Sequence, residues 1–449
     1  MLRVVAGTLI AAVTWLGARP AAASDAPPPN GPASEVCARR HPTALGQIAC
    51  ELARALPPAQ GPRLVATITL QSGSGAPALD ELATRLATLV AGELGPTSRA
   101  LPGIVPQARA RSLAGSDAEV VLLRGTLERD RFSVSADLVA GKFRFWDRFR
   151  KTEPGVRAHA FAARPLDTEI RSYLPRVPLV VSKVHETSPL DEPVVALACG
   201  DVNADGSPEL ALVGRRRVRV GRIVRGSFVA EREVPWSELS PLAASPLREP
   251  IATVEVGSAG GLTVGITDRA DALELDADLR VRRRFPDRLP WGPGTCARVS
   301  GIGLVGPRVD CTAARLPDPE PEVLDAVASA RLVERDGRVL EVTAARRSRD
   351  ARLELALGDQ RVAIDDPVGA QLALGDLDGD GLAELVSTAP DLDPALDFVL
   401  VRSLSREGRV EEAARIPAPS GVRALAVCPP KGGLSPIVAA TGAGLWVLQ

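Results

Sequence analysis

The side chains most able to do chemistry in this sequence sit in two short acidic loops. The first reads Gly200-Asp201-Val202-Asn203-Ala204-Asp205-Gly206-Ser207-Pro208-Glu209-Leu210, the second Gly375-Asp376-Leu377-Asp378-Gly379-Asp380-Gly381-Leu382-Ala383-Glu384-Leu385. Counted from the first aspartate, each loop has an oxygen-bearing side chain at positions 1, 3, 5 and 9 and a glycine at position 6. Alternate side chains of a tight loop converge on one centre, and the glycine permits the sharp reversal that such wrapping needs. Hard oxygen ligands without His or Cys suit Ca²⁺ better than zinc or copper. An EF-hand opens with the same spacing, but it needs a bidentate Glu at position 12 and a helix on each side. Position 12 is Leu212 in one loop and Ser387 in the other, and flanks such as Val194-Val195-Ala196-Leu197 and Leu210-Ala211-Leu212-Val213 read as strands. The EF-hand is excluded. Ordinary Asp/Gly surface turns share this composition, yet two matched copies between strands favour a metal.

Acidic loops set between strands in this way resemble the FG-GAP/VCBS repeat of integrin-α-like β-propellers. There an Asp-x-Asp-x-Asp-Gly-x-x-Asp loop joins the first two strands of a blade and holds calcium, with position 7 contributing its carbonyl. Carried over, the resemblance implies Asp201, Asn203, Asp205, Ser207 (through its backbone) and Glu209 in the first loop. In the second it implies Asp376, Asp378, Asp380, Leu382 (through its backbone) and Glu384. Both loops carry Glu where the repeat usually has Asp at position 9. The implied ion is structural.

The elements that must hold these loops are short strands. From about Pro178 to the carboxyl terminus, strands alternate with Gly, Asp and Pro turns. Hairpins are expected around Arg225-Gly226-Ser227, Asp276-Ala277-Asp278 and Arg406-Glu407-Gly408. The cadence is a weak repeat of about 40–45 residues, the size of a propeller blade. The length allows six or seven blades, within the usual range. Gly257-Ser258-Ala259-Gly260-Gly261 stands where a second blade has lost its acidic loop, and Leu316-Pro317-Asp318-Pro319-Glu320-Pro321 reads as an insertion between blades. A two-sheet sandwich is the alternative arrangement of the same strands.

Residues 37–175 read differently, as a small α/β domain. Leu64 to Leu70 is an expected strand, and a helix capped by Asp80 carries Leu82, Leu86, Leu89 and Val90 at helical spacing until Gly95-Pro96 stops it. Glu119 to Glu128 and the alternating Phe132, Val134, Ala136 and Leu138 form an expected hairpin about Arg129-Asp130, followed by Phe145-Trp146-Asp147-Arg148. Over residues 60–150 this order resembles the TolB amino-terminal/FlgO-like domain of bacterial envelope proteins, which implies a role in assembly or interaction.

The amino terminus has the layout of a secretory signal peptide across residues 1–23: a charged start, an apolar run from Val4 to Ala18 and Ala21-Ala22-Ala23-Ser24. A Pro-rich linker is expected over residues 24–36. No other stretch is long and apolar enough to suggest a transmembrane segment. The six cysteines form an even set for an oxidising compartment. Spacing suggests Cys37 with Cys50 and Cys296 with Cys311. Cys199 and Cys428 sit in matching contexts, after Val194-Val195-Ala196-Leu197-Ala198 and Val422-Arg423-Ala424-Leu425-Ala426-Val427, and are either buried thiols or a disulfide that staples a closed ring.

Other chemistry finds little support. Gly301-Ile302-Gly303-Leu304-Val305-Gly306 matches the dinucleotide fingerprint, but Pro307 follows and no helix can hold a pyrophosphate, so it reads as a strand pair. His41, His159 and His185 are isolated, and the acidic residues crowd into single loops instead of flanking a cleft as a hydrolase needs. A net charge of −1 leaves no electrostatic footprint for nucleic acid. The expectation is an exported, calcium-binding β-propeller preceded by an α/β domain, at the periplasm, cell surface or outside the cell. It binds or assembles with an envelope protein or glycan, and no enzyme activity is expected. A propeller-fold hydrolase or lyase is the competing reading.

Overall fold

The computed structural model describes residues 33–449, apart from 60, 73–77, 116–117, 129–130, 141–154, 182, 245–248, 258–259, 301–302, 315–321, 335, 406 and 431–433. The signal-like segment, the Arg129-Asp130 turn, the Phe145–Arg148 motif and the Leu316–Pro321 insertion therefore lie outside the described residues.

The amino-terminal domain opens with α1 (Ala33–Arg40), which begins inside the stretch expected to be linker, and α2 (Ala44–Ala55). Then come β1 (Arg63–Ser72), α3 (Leu79–Leu94), β2 (Ser98–Ile104), α4 (Gln107–Ala114), β3 (Glu119–Leu127), β4 (Arg131–Ala140), β5 (Val156–Pro165) and the single-turn α5 (Thr168–Arg171). The sheet order is β2-β1-β3-β4-β5. β1 runs parallel to β2 and β3, and the β3–β4–β5 meander is antiparallel. The strict alternation in β4 has its expected meaning: Phe132, Val134, Ala136 and Leu138 are buried together with Leu82, Leu86 and Val90 of α3 and Leu45, Ile48 and Leu52 of α2. A smaller core around Ala66, Val120 and Leu122 receives Ala110 of α4. Asp80 corrects one expectation. Ala78 holds the cap position without a side-chain bond, while Asp80 sits in the first turn and accepts the Ile104 N–H at 3.0 Å, tying α3 to β2. A disulfide joins Cys37 of α1 to Cys50 of α2.

After β6 (Val184–Glu186) the chain builds antiparallel sheets in sequence order. The first has β7 to β10 (Val194–Gly200, Glu209–Gly214, Arg217–Val224, Ser227–Pro235), the second β11 to β14 (Ala252–Val256, Leu262–Ile266, Asp271–Leu275, Val281–Pro286). A seven-stranded sheet follows, in which β15 to β17 (Arg288–Pro290, Thr295–Ser300, Gly303–Asp310) continue into β18 to β21 (Val323–Val333, Val339–Arg347, Leu353–Leu357, Gln360–Ile364). Next come β22 to β25 (Leu372–Gly375, Glu384–Thr388, Phe398–Leu404, Val410–Pro417), then β26 to β28 (Val422–Val427, Ile437–Thr441, Leu445–Leu448). The fourth strand of that last sheet is β6, which pairs with β28 through His185 opposite Val447. Counting β15–β17 as a three-stranded unit, six sheet units surround a central channel, whose walls include β7, β11, β18, β22 and β26. This is a β-propeller. The three hairpins expected from their turns are β9–β10, β13–β14 and β24–β25, and Gly303 to Gly306 of the dinucleotide-like run lie in strand β17.

The ring closes twice. β6 completes the last sheet at its outer edge, so that sheet presents no unpaired outer edge beside β28. At the inner edge Cys199, on β7, is bonded to Cys428, one residue beyond β26, with Cα atoms 4.9 Å apart. Around it Leu197, Leu210, Leu212, Ala424, Ala426 and Val438 form a buried cluster shared by the first and last sheets. Cys296–Cys311 is the third disulfide. A covalent link across so long a loop stabilises mainly by restricting the unfolded chain. We expect the double substitution Cys199→Ala/Cys428→Ala to cost about 3–5 kcal/mol in urea denaturation. An unchanged midpoint would assign ring closure to strand pairing alone.

Candidate metal centre

Both acidic loops join the first strand of a sheet to the second, β7 to β8 and β22 to β23. Their internal bonding is nearly the same. The position-1 carboxylate accepts backbone N–H groups across the loop: Asp201 from Asp205 and Gly206 at 3.0 and 2.8 Å, Asp376 from Gly379 and Gly381 at 2.8 and 3.1 Å. Position 3 accepts the N–H of position 5, and position 5 that of position 7. The position-9 glutamate reaches back to position 2: Glu209 accepts the Val202 N–H at 2.9 Å and Glu384 the Leu377 N–H at 2.7 Å. The longer Glu thus serves as a buried brace inside each loop. Positions 4 and 6 take the left-handed conformation in both copies, with Gly379 and Gly381 at φ 78° and 81° but Ala204 at 59° beside Gly206 at 87°.

Two further details repeat that the sequence alone had not singled out. A Cβ on Gly200 would lie 2.9 Å from Val256, and one on Gly375 2.6 Å from Val427, so the glycine before each loop makes room for a valine on the next sheet's innermost strand. The position-2 carbonyl accepts an N–H from that next sheet's own loop: Val202 from Gly261 at 2.7 Å, Leu377 from Ser435 at 2.8 Å. Gly257, Gly260 and Gly261, the described residues of the glycine-rich stretch, therefore occupy the expected equivalent place between β11 and β12.

The loops differ in what faces their carboxylates. In the first, Arg222 of β9 reaches Asp205 at 3.0 Å and also pairs with Glu209. Hydrogen bonds from Asn203 and the Ser207 N–H, helped by Arg222, hold the Asp205 carboxyl below its usual range. Asp205 and Ser207 are exposed. The second loop is buried against the segment leaving the α/β domain. Val177 donates to the Asp378 carbonyl at 2.9 Å, and Arg176 pairs with Asp380. Asp376, Asp378 and Glu384 crowd together, each buried, with carboxylate oxygens all within 4.8 Å of one another. Burial, reinforced by the neighbouring carboxylates, raises Asp376 to about 6 and Glu384 to about 9, and burial raises Asp378 as well. Three carboxyls pressed together out of water in this way are what a divalent cation would relieve. The donor set of the second loop fits Ca²⁺; in the first, an arginine already balances positions 5 and 9.

No protein-family profile matches the chain, and no curated protein matches it significantly. Among solved structures, similarity is found to BBS1N in complex with ARL6DN (12% identity, covering 72% of this chain and 88% of that one, TM-score 0.37). It is also found to the soluble aldose sugar dehydrogenase of Escherichia coli (14% identity, 60% and 99% covered, TM-score 0.35). A third is TolB of Acinetobacter baumannii (12% identity, 87% and 94% covered, TM-score 0.27). These likenesses concern the fold alone, and the propeller assignment rests on the chain's own sheet order.

The repeated glycine and the strained alanine give paired expectations. Gly375→Ala should destabilise by about 1–3 kcal/mol through overpacking against Val427. Ala204→Gly should stabilise by about 1 kcal/mol by relieving the left-handed residue. Urea midpoints measure both; unchanged values would show that neither loop's backbone is constrained as described.

Proposed function

We propose that this protein is a calcium-stabilised propeller of the FG-GAP/VCBS kind that works as a binding and assembly module at the bacterial cell envelope after export. The observation that carries the calcium reading is the buried trio Asp376, Asp378 and Glu384, whose carboxyls stay raised even though Arg171 acts on Asp376 and Arg176 on Asp378 and Glu384. Asp380 and the Leu382 carbonyl would complete the set. Bound calcium would supply charge neutralisation that fixes the loop. The protein's own part is positional: Glu384 braces Leu377, and Ser435 and Val177 hold the loop from the last sheet and from the inter-domain segment.

Export is supported by the signal-like start of the sequence and by three disulfides, which persist in oxidising compartments. Among the described residues no helix is long and apolar enough to cross a membrane. The α/β domain has the strand, helix and β3–β4 hairpin from which the TolB amino-terminal/FlgO-like resemblance is read, its Phe145–Arg148 ending lying outside the described residues, and these elements support an interaction role. A protein or glycan partner in the envelope is the reading that follows. The hydrolase or lyase alternative gains nothing from the site, because its carboxylates turn toward one another and toward backbone N–H groups within a single loop. We therefore propose a non-enzymatic role.

Calcium should raise the melting temperature and EDTA should lower it, since an ion bound to the native state adds about 2.7 kcal/mol at a hundredfold excess over Kd. Glu384→Gln should reverse the usual outcome of damaging a site. In EDTA it removes one of three crowded carboxyls and so melts no lower than wild type, while in calcium it gains little. Superimposable melting curves of the wild-type protein in EDTA and in millimolar calcium would end the metal reading.

A further inference from the structure

The propeller encloses a cavity of about 730 Å³ on its axis. Many of the residues along its wall are small, including Ala196, Ala198, Ala326, Ala328, Ala424 and Ala426, while the surface open to the cavity is more polar than apolar. One sector, between β11 and β18, is different. Along β11, Val254 and Val256 pack into the core shared with the first sheet, so the alternate side chains Thr253 and Glu255 face the other way. Ser329 of β18 lies beside Glu255, and Trp291 and Asp325 also line the cavity. Gly292 brings the chain beside Ser329: a Cβ there would lie 2.6 Å from its hydroxyl.

This sector collects unmet hydrogen-bonding capacity. Thr253 Oγ1, Trp291 Nε1, Asp325 Oδ1 and Ser329 Oγ are all buried atoms without a hydrogen-bond partner of good geometry among the described residues. Glu255 is half-buried and, among the described residues, makes no ion pair. Burial pushes its carboxyl up to about 7; the Ser329 hydroxyl beside it acts in the opposite sense and the Glu341 carboxylate adds to the rise. The nearby cations are committed elsewhere, since Arg308 bonds Glu341 at 2.9 and 2.7 Å and Arg346 pairs with Asp325. Unpaired polar groups gathered in one wall of a cavity call for a partner the protein does not supply, ordered water or a bound species.

We propose that this sector of the channel binds an organic cation, an ammonium or guanidinium group that docks on Glu255 in the wall that Trp291 also lines. The Glu255 carboxylate, the unused Asp325 oxygen and two hydroxyls face the space, and with Arg346 committed to Asp325 the indole N–H is the uncommitted obligatory donor among these side chains, so a donor-rich ligand fits. Ammonium and guanidinium groups carry donors and no acceptor, and an aromatic wall suits them. A calcium ion fits poorly, because Asp325 is already engaged by Arg346 and Glu255 is one carboxylate. The cation can come from a free amine or from a Lys or Arg side chain of a partner. The site deepens the binding-module reading and does not depend on the calcium loop.

The test is calorimetric titration of the full, disulfide-intact chain in saturating calcium, with Trp fluorescence as a second readout. The probes are n-pentylamine and agmatine, 1-pentanol as the uncharged match, and the tripeptide acetyl-Gly-Lys-Gly-amide. Saturable binding of a cation but not of pentanol is expected, weakened about tenfold or more by Glu255→Gln, the usual cost of losing a hydrogen bond to a charged group. Glu255→Asp keeps the charge and should retain part of the affinity, which answers the case in which the Gln variant fails to fold. Tighter binding of the tripeptide would assign the site to a partner's side chain, tighter binding of the amines to a small molecule. No saturable cation binding, or equal affinity in Glu255→Gln, would leave only water in the sector and overturn the proposal. An envelope partner captured equally by wild type and Glu255→Gln would likewise remove this site while leaving the module reading intact.

Discussion

A circular array of sheets stands or falls on how its ends meet, because an open ring would expose one sheet's flank and the next sheet's apolar face. Here the meeting is made at two radii. The three-residue β6 supplies the outermost strand of the last sheet, and Cys199–Cys428 fastens the innermost strands. Between them lies the buried cluster of Leu197, Leu212, Ala424 and Val438. None of these contacts is local in sequence. Everything else in the propeller, including the geometry of both acidic loops and the width of the channel, presupposes that this junction holds.

Given the closed ring, two of its joints, from the first sheet to the second and from β22–β25 to the last sheet, use the same small device. A glycine admits a valine from the neighbouring inner strand, and the carbonyl two residues later accepts a neighbouring N–H. The acidic loops are thus joints between sheets as well as candidate ion sites. The second is also the joint between domains, since Val177 and Arg176 reach it from the segment after α5. That explains why one copy is buried and crowded while the other is exposed and balanced by Arg222. The same sequence pattern thus acquires two electrostatic characters from what happens to pack against it.

Much of this was legible in the residues. Alternation marked β4, the helical spacing of Leu82, Leu86 and Val90 marked α3, and Asp- and Gly-bearing turns marked the outer hairpins, because each of these signals acts over a few residues. The cysteine spacings gave the two short disulfides for the same reason. What escaped was non-local. Arg222 and Arg176 look like any of the chain's many arginines until the topology brings them to a carboxylate. Val184–Glu186 carries no pattern that marks a closing strand, and the merging of β15–β17 with β18–β21 depends on a short pairing of Leu304 and Val305 with Leu324 and Val323. Glu255 was readable only as a polar residue in alternation with valines; that it would stand beside the Ser329 hydroxyl and the Glu341 carboxylate instead of a cation required the fold.

The position of Cys428 near the end of the chain sets an order of events. A thread that emerges amino terminus first presents Cys199 long before its mate, with Cys296 and Cys311 arriving in between, close enough together to join at once. Cys199 therefore has no native partner until almost the whole propeller has been made. The inner seam is the last of the three native bonds whose two halves become available, later than either short-range pair.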